Sequence, residues 1–140
     1  MQDVFCPIKL TGVAASICEA AGVNPPKSAE KSIDIINALT KDKGIDRVFM
    51  YNPDAVALWI FEKYTELFCP VMLNSNITLP LQTVMPSVTP VCFASMYAGV
   101  QPSEHGIQKY EKPVLKVQTL FDDMITSGKR AAIVSTAGDS

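Results

Sequence analysis

Apolar positions along the chain follow two rhythms, one helical and one strand-like. Residues 8–22 are small and alanine-rich and close on Gly22, which predicts a helix. Asn24-Pro25-Pro26 breaks it. Ser28 then stands where an N-cap belongs, with Lys31 in place of a capping-box glutamate. Ile33, Ile36 and Leu39 follow at helical spacing until Gly44. Residues 46–51 predict a short strand. Asn52-Pro53 punctuates it, and Pro53 suits the first turn of a helix running to about Phe68, with Ala57, Trp59, Ile60, Tyr64 and Leu67 as its apolar members. Residues 79–85 predict a second strand whose early Pro80 keeps its start out of central pairing. Then come a short helix over 90–98, a loop over 99–113, a helix over 117–127 ended by Gly128, and a buried strand over 130–136.

From residue 46 onward the order is strand, helix, strand, helix, helix, strand. Such alternation predicts an α/β fold, a mostly parallel sheet flanked by helices. The chain divides on this reading into an N-terminal helical segment, 1–45, and an α/β domain, 46–140. It stops just after the last predicted strand, where an α/β unit returns through a helix. The expectation is therefore an N-terminal part of a longer fold.

Composition narrows the function classes. Hydrophobic residues make up 48% of the 140 and charged residues 19%, which excludes intrinsic disorder. The net charge of −2 leaves no basic excess for a phosphate backbone, so no nucleic-acid polymer is expected as a partner. No run of 18 apolar residues and no basic N-terminal region appear. The expectation is a cytoplasmic protein with neither membrane span nor secretory signal. Cysteines at 6, 18, 69 and 92 form no C-x-x-C pair and there is one histidine, which excludes a zinc finger or ribbon. They are expected reduced and mostly buried. From Leu67 to Ser103, 37 consecutive residues carry no charge, and five prolines interrupt them. Loops normally face water, so a cap, a partner subunit or further chain is expected over this stretch, with self-association one way to cover it.

Three residues stand where chemistry could occur. Asp54 follows the first predicted strand, placed to hold a divalent cation. Its ordinary alternative is a carboxylate at a helix N-terminus. Thr89, between Val88 and Pro90, puts a hydroxyl at a helix start, where free N–H groups favour an anion. The ordinary alternative there is an N-cap threonine with proline at N1. His105 lies 13 residues after Cys92, so a Cys–His nucleophile pair is conceivable. No orienting group accompanies it, and a loop histidine that fixes a turn is the commoner case.

Residues 84–107 read Val-Met-Pro-Ser-Val-Thr-Pro-Val-Cys-Phe-Ala-Ser-Met-Tyr-Ala-Gly-Val-Gln-Pro-Ser-Glu-His-Gly-Ile. This resembles the signature of the alkaline phosphatase superfamily in its type I phosphodiesterase/nucleotide pyrophosphatase branch. The resemblance extends over roughly 46–136. It implies a metal-dependent phosphoric ester hydrolase in which Thr89 is the transiently phosphorylated nucleophile. Asp54 and Thr89 would be ligands of two divalent metals, usually zinc, and His105 would be structural. The substrate would be a small phosphate ester or nucleotide. The family's further Asp and His ligands lie in the second half of its fold, so this chain alone is expected to be inactive. Asp122 and Asp123, read as mid-helix on a solvated face, do not replace them. Ala98 stands where the family has Thr, Gln101 where it has Tyr, and Asn52-Pro53-Asp54 where it has Ile-Asp-Gly. The same residues also admit a related phosphomutase or sulfatase-like enzyme, or a non-catalytic packing or partner-binding module.

Overall fold

The computed structural model describes residues 7–135. Among these residues seven helices appear in chain order: α1 Gly12–Ala20, α2 Asp34–Thr40, α3 Leu58–Lys63, α4 Thr65–Leu73, α5 Thr89–Ala98, α6 Pro102–His105 and α7 Leu120–Thr126. The architecture is helical, and the expected parallel sheet is absent among the described residues. Their one β feature is an isolated parallel bridge between Lys9 and Gln82, carried by Leu10 N–H donating to Gln82 O at 2.9 Å and Gln82 N–H donating to Ile8 O at 2.7 Å. Only this one residue of the predicted 79–85 strand pairs with anything. Residues 46–51 and 130–135 form no strand and are almost wholly exposed. The apolar runs were real, but a strand exists only where a second segment completes its ladder, and no such segment lies alongside them.

The core sits where α1, α5 and α7 converge. Ala14, Cys18 and Val23 pack against Leu120 and Met124, with Tyr97 and Phe121 at the margin. Val84, Val91, Ala94 and Ile107 form a second buried group. α1 therefore belongs to the same packing unit as α5 and α7. Its small side chains let neighbours come close. Ser16, buried on α1, donates to Gly12 O at 2.7 Å and accepts from Ile33 N–H at 2.8 Å, so its hydroxyl is satisfied twice.

The helix ends follow local chemistry. After α1 the Val23 N–H returns to Cys18 O and the Gly22 N–H to Glu19 O. After α7 the Lys129 N–H returns to Met124 O and the Gly128 N–H to Ile125 O. Both are Schellman closures on a left-handed glycine. Ser28, in contrast, caps nothing. It sits in a turn closed by Ala29 N–H on Pro26 O, and α2 begins later, with Ile33 as its N-cap. The single helix expected up to Phe68 is two, broken at Tyr64 (φ −126°), and the second continues to Leu73 with Pro70 inside it. The 99–113 loop contains α6.

The uncharged 67–103 stretch divides at Val84. Upstream, no residue is buried, whereas downstream it supplies most of the α5 core. α3 and α4 contact each other and no other helix. Among the described cysteines Cys18 is buried, Cys92 partly so and Cys69 exposed, so the expectation of mostly buried thiols is corrected; Cys6 lies outside the described residues.

Candidate functional site

The site forms where α5 begins. Val88 is extended, Thr89 is the first helical residue, and Pro90 occupies the first turn, where its missing N–H costs nothing. The helix thus starts one residue earlier than the sequence pattern indicates, which moves Thr89 out of the N-cap role. The hydroxyl is free for another partner. That partner is Asp54, 35 residues back: Thr89 Oγ1 donates toward Asp54 Oδ1 at 3.3 Å and Oδ2 at 3.5 Å. Two of the three residues singled out for chemistry are therefore brought face to face.

Asp54 is exposed and its carboxylate is aimed by its own turn. Ala55 N–H donates to Oδ1 at 2.8 Å, with Ala55 at φ +57°. Left-handed backbone at a non-glycine residue costs roughly 1–2 kcal/mol, so the turn is held against a local preference. Both Thr89 contacts are longer than an ordinary O–H···O bond. They match a different spacing. Two oxygens bound to one tetrahedral zinc at about 2.0–2.2 Å lie roughly 3.3–3.6 Å apart. The donor pair suits one edge of such a site. It is an incomplete set, because among the described residues no group of three or more His, Cys, Asp and Glu side chains could hold a metal.

His105 lies apart from this pair. It is buried at the end of α6, and its Nδ1 accepts from Ile107 N–H at 3.1 Å. The ring proton is therefore on Nε2, which donates to Ser95 Oγ, 2.9 Å away on α5. Burial lowers the histidine pKa from its ordinary value. A neutral ring with both nitrogens engaged clamps the loop after α6 onto α5. Cys92 does not reach it: its sulfur lies 3.2 Å from Thr83 Oγ1, so no Cys–His pair forms.

The departures from the motif find local explanations. Ala98 is fully buried, and Gly99 follows at φ +74°, where an added Cβ would lie 2.6 Å from Ala29 Cβ. Gln101 caps α6 together with Glu104 and also donates to Glu30 Oε1 at 2.6 Å. Glu30 holds Lys9 as well, at 3.0 Å. The Gln101 and Lys9 bonds keep its carboxyl below the ordinary value although burial opposes them. Asp122, read as a mid-helix solvated residue, instead closes the α7 capping box by accepting from Thr119 N–H at 2.8 Å and Oγ1 at 2.7 Å, and these bonds depress its pKa. Sequence reasoning passed over Tyr97, whose ring stacks on Phe93 and meets Phe121 edge-on. No local signal could have paired Tyr97 with Phe121, 24 positions further on.

Comparison with protein-family models, with curated proteins and with solved structures gives no match.

Proposed function

We propose that this chain carries the nucleophile segment of a metal-dependent hydrolase of the phosphodiesterase/nucleotide pyrophosphatase type. It would act on a small phosphate ester or nucleotide. The observation that supports the reading is the Thr89–Asp54 pair, two oxygens 3.3 Å apart at a helix start. Thr89 would be the nucleophile, and Asp54 and Thr89 would hold a divalent metal such as zinc, one of two. When bound, that metal would lower the pKa of the hydroxyl. The Thr89 Oγ–phosphorus bond forms as the bond to the leaving alcohol breaks, with the phosphoryl oxygens facing the unpaired N–H groups of the first α5 turn. The remaining metal ligands lie outside this set. Free cysteines suit a cytoplasmic setting.

The test is acid quenching of the natural gene product during turnover of an aryl phosphodiester with zinc, followed by peptide mapping. Phosphate is expected on Thr89. Thr89→Ala should abolish turnover, Thr89→Ser should retain part of it, and Ser87→Ala should be mild. Full turnover in Thr89→Ala with loss in Ser87→Ala or Cys92→Ala would overturn the assignment.

The bare α3–α4 arm favours a second, non-catalytic reading: a partner-binding module that self-associates through the exposed half of the 67–103 stretch. Sedimentation velocity decides it. Dimers that dissociate in Leu67→Glu/Leu73→Glu support the module, and a monomer at high concentration sinks it.

A further inference from the structure

Residues 57–78 leave and rejoin the packed part of the molecule beside the candidate site. One foot of this arm is Asp54, which Thr89 meets at 3.3 Å. The other is Gln82, pinned to the segment before α1 by its bridge with Lys9. Between the feet lie α3 and α4, which contact each other and no other helix. Leu67, Val71 and Leu73 on α4 are exposed. An arm tethered at both feet meets the surroundings of its own anchors before any other surface.

The first foot carries a hinge. Seven described residues hold left-handed backbone: five glycines, Asp42 and Ala55. Glycine adopts that conformation freely and aspartate tolerates it, so Ala55, at φ +57°, is the one whose own chemistry opposes it. No packing compels it, since Ala55 is exposed and α3 buries no side chain. The φ torsion of residue 55 turns about the bond from its nitrogen to its Cα. Everything before that bond stays in place, including the Ala55 N–H that donates to Asp54 Oδ1 at 2.8 Å. Everything after it, the arm, swings. The irregular stretch after α4 takes up the change at the other foot. Relaxing Ala55 to negative φ therefore moves the arm, keeps the Asp54–Thr89 pair, and releases strain of the kind found at switch regions.

We infer that residues 57–78 are a lid, hinged at Ala55, that closes over the Asp54–Thr89 pair. The inference rests on the hydrolase reading above. Closure buries the apolar face of the arm and keeps bulk water from the phosphoryl group.

The experiment is amide hydrogen exchange by mass spectrometry on the natural gene product, free and with zinc and inorganic phosphate, whose binding is measured separately by calorimetry. Short helices without tertiary support open readily, so 57–78 should exchange fast in the free protein. Zinc and phosphate should slow it about tenfold, the factor for a lid closed nine-tenths of the time, and Asp54→Ala should cancel the slowing. Ala55→Gly removes the cost of the open state and should weaken the slowing. Ala55→Val raises that cost and should protect the arm even without ligand. Binding with no change over 57–78 would overturn the lid and leave the site standing. Slowing that tracks protein concentration in place of ligand would assign the arm to a second copy and sink the lid as well. Equal protection in Ala55→Gly and Ala55→Val would remove the hinge. Failure of zinc and phosphate to bind at all would overturn the hydrolase reading beneath it.

Discussion

α4 and α5 are close in length and both apolar, yet α5 buries five residues and α4 none. Their side chains differ in size. α5 offers Ala94, Ser95 and Ala98 to its neighbours, and Gly99 at its end lets Ala29 come within contact. α4 offers Leu67, Val71 and Leu73, which stay 71%, 66% and 85% exposed. Hydrophobic content sets the free energy available from burial, roughly 25 cal/mol per Å². Complementary shape decides whether any of it is gained. The helices rich in small residues, α1 and α5, found each other, and the bulky one found only α3.

The sharpest way to break this comparison is to deny α5 its close approach. Gly99→Val adds a side chain at a left-handed position that already faces Ala29. It should cost about 2–5 kcal/mol by urea denaturation, the sum of backbone strain and overpacking. A neutral result would mean that close packing does not distinguish the two regions. Next in size, Val91→Ala, at a fully buried site, should cost about 2 kcal/mol, while Leu73→Ala on α4 should stay within about 0.5 kcal/mol. Equal losses would place α4 in the same cooperative unit as α5.

Acid should unsettle the core through His105. Its pKa is lowered by burial from the ordinary 6.5. The unfolded chain therefore takes up its proton first as pH falls below 6.5. The stability contributed by the neutral ring is present above that value and drains away below it. The urea midpoint should fall between pH 7 and pH 5, and His105→Gln should flatten that slope. Unchanged slopes in the variant would assign the acid sensitivity elsewhere. The gentlest probe is alkylation. Cys18 is buried and its thiol is pushed up to about 11, so at pH 8 roughly one thiol in a thousand is ionised. Iodoacetamide should modify exposed Cys69 in the native chain and spare Cys18 until denaturant is added, and equal labelling would show that the core opens readily.

These contrasts explain what could be read in the sequence. The ends of α1 and α7 were legible because Gly22 and Gly128 close helices through bonds to residues three to five positions away. The α5 start was legible from Pro90 for the same reason. α6 was legible in principle: Gln101-Pro102-Ser103-Glu104 carries a cap, a proline at N1 and a glutamate at N3. The strands failed because a ladder needs a second segment alongside, and an apolar run such as Ala131-Ala132-Ile133-Val134 records side-chain preference without supplying a neighbour. Thr89 and Asp54 stood out from their local settings. That they meet depends on a contact across 35 residues.

The bridge between Lys9 and Gln82 has a topological consequence. It pins two points 73 residues apart, so the chain between them, α3 and α4 included, is a closed loop. The entropy of closing a loop grows only with the logarithm of its length, about 0.6 kcal/mol per doubling. Excising residues 57–78 would therefore change the closure cost by only a few tenths of a kcal/mol, provided the contact of Asp54 with Thr89 is kept. The arm is a part of the molecule whose length the core scarcely registers. Additions and deletions there are nearly invisible to stability and are free to vary with whatever the arm contacts.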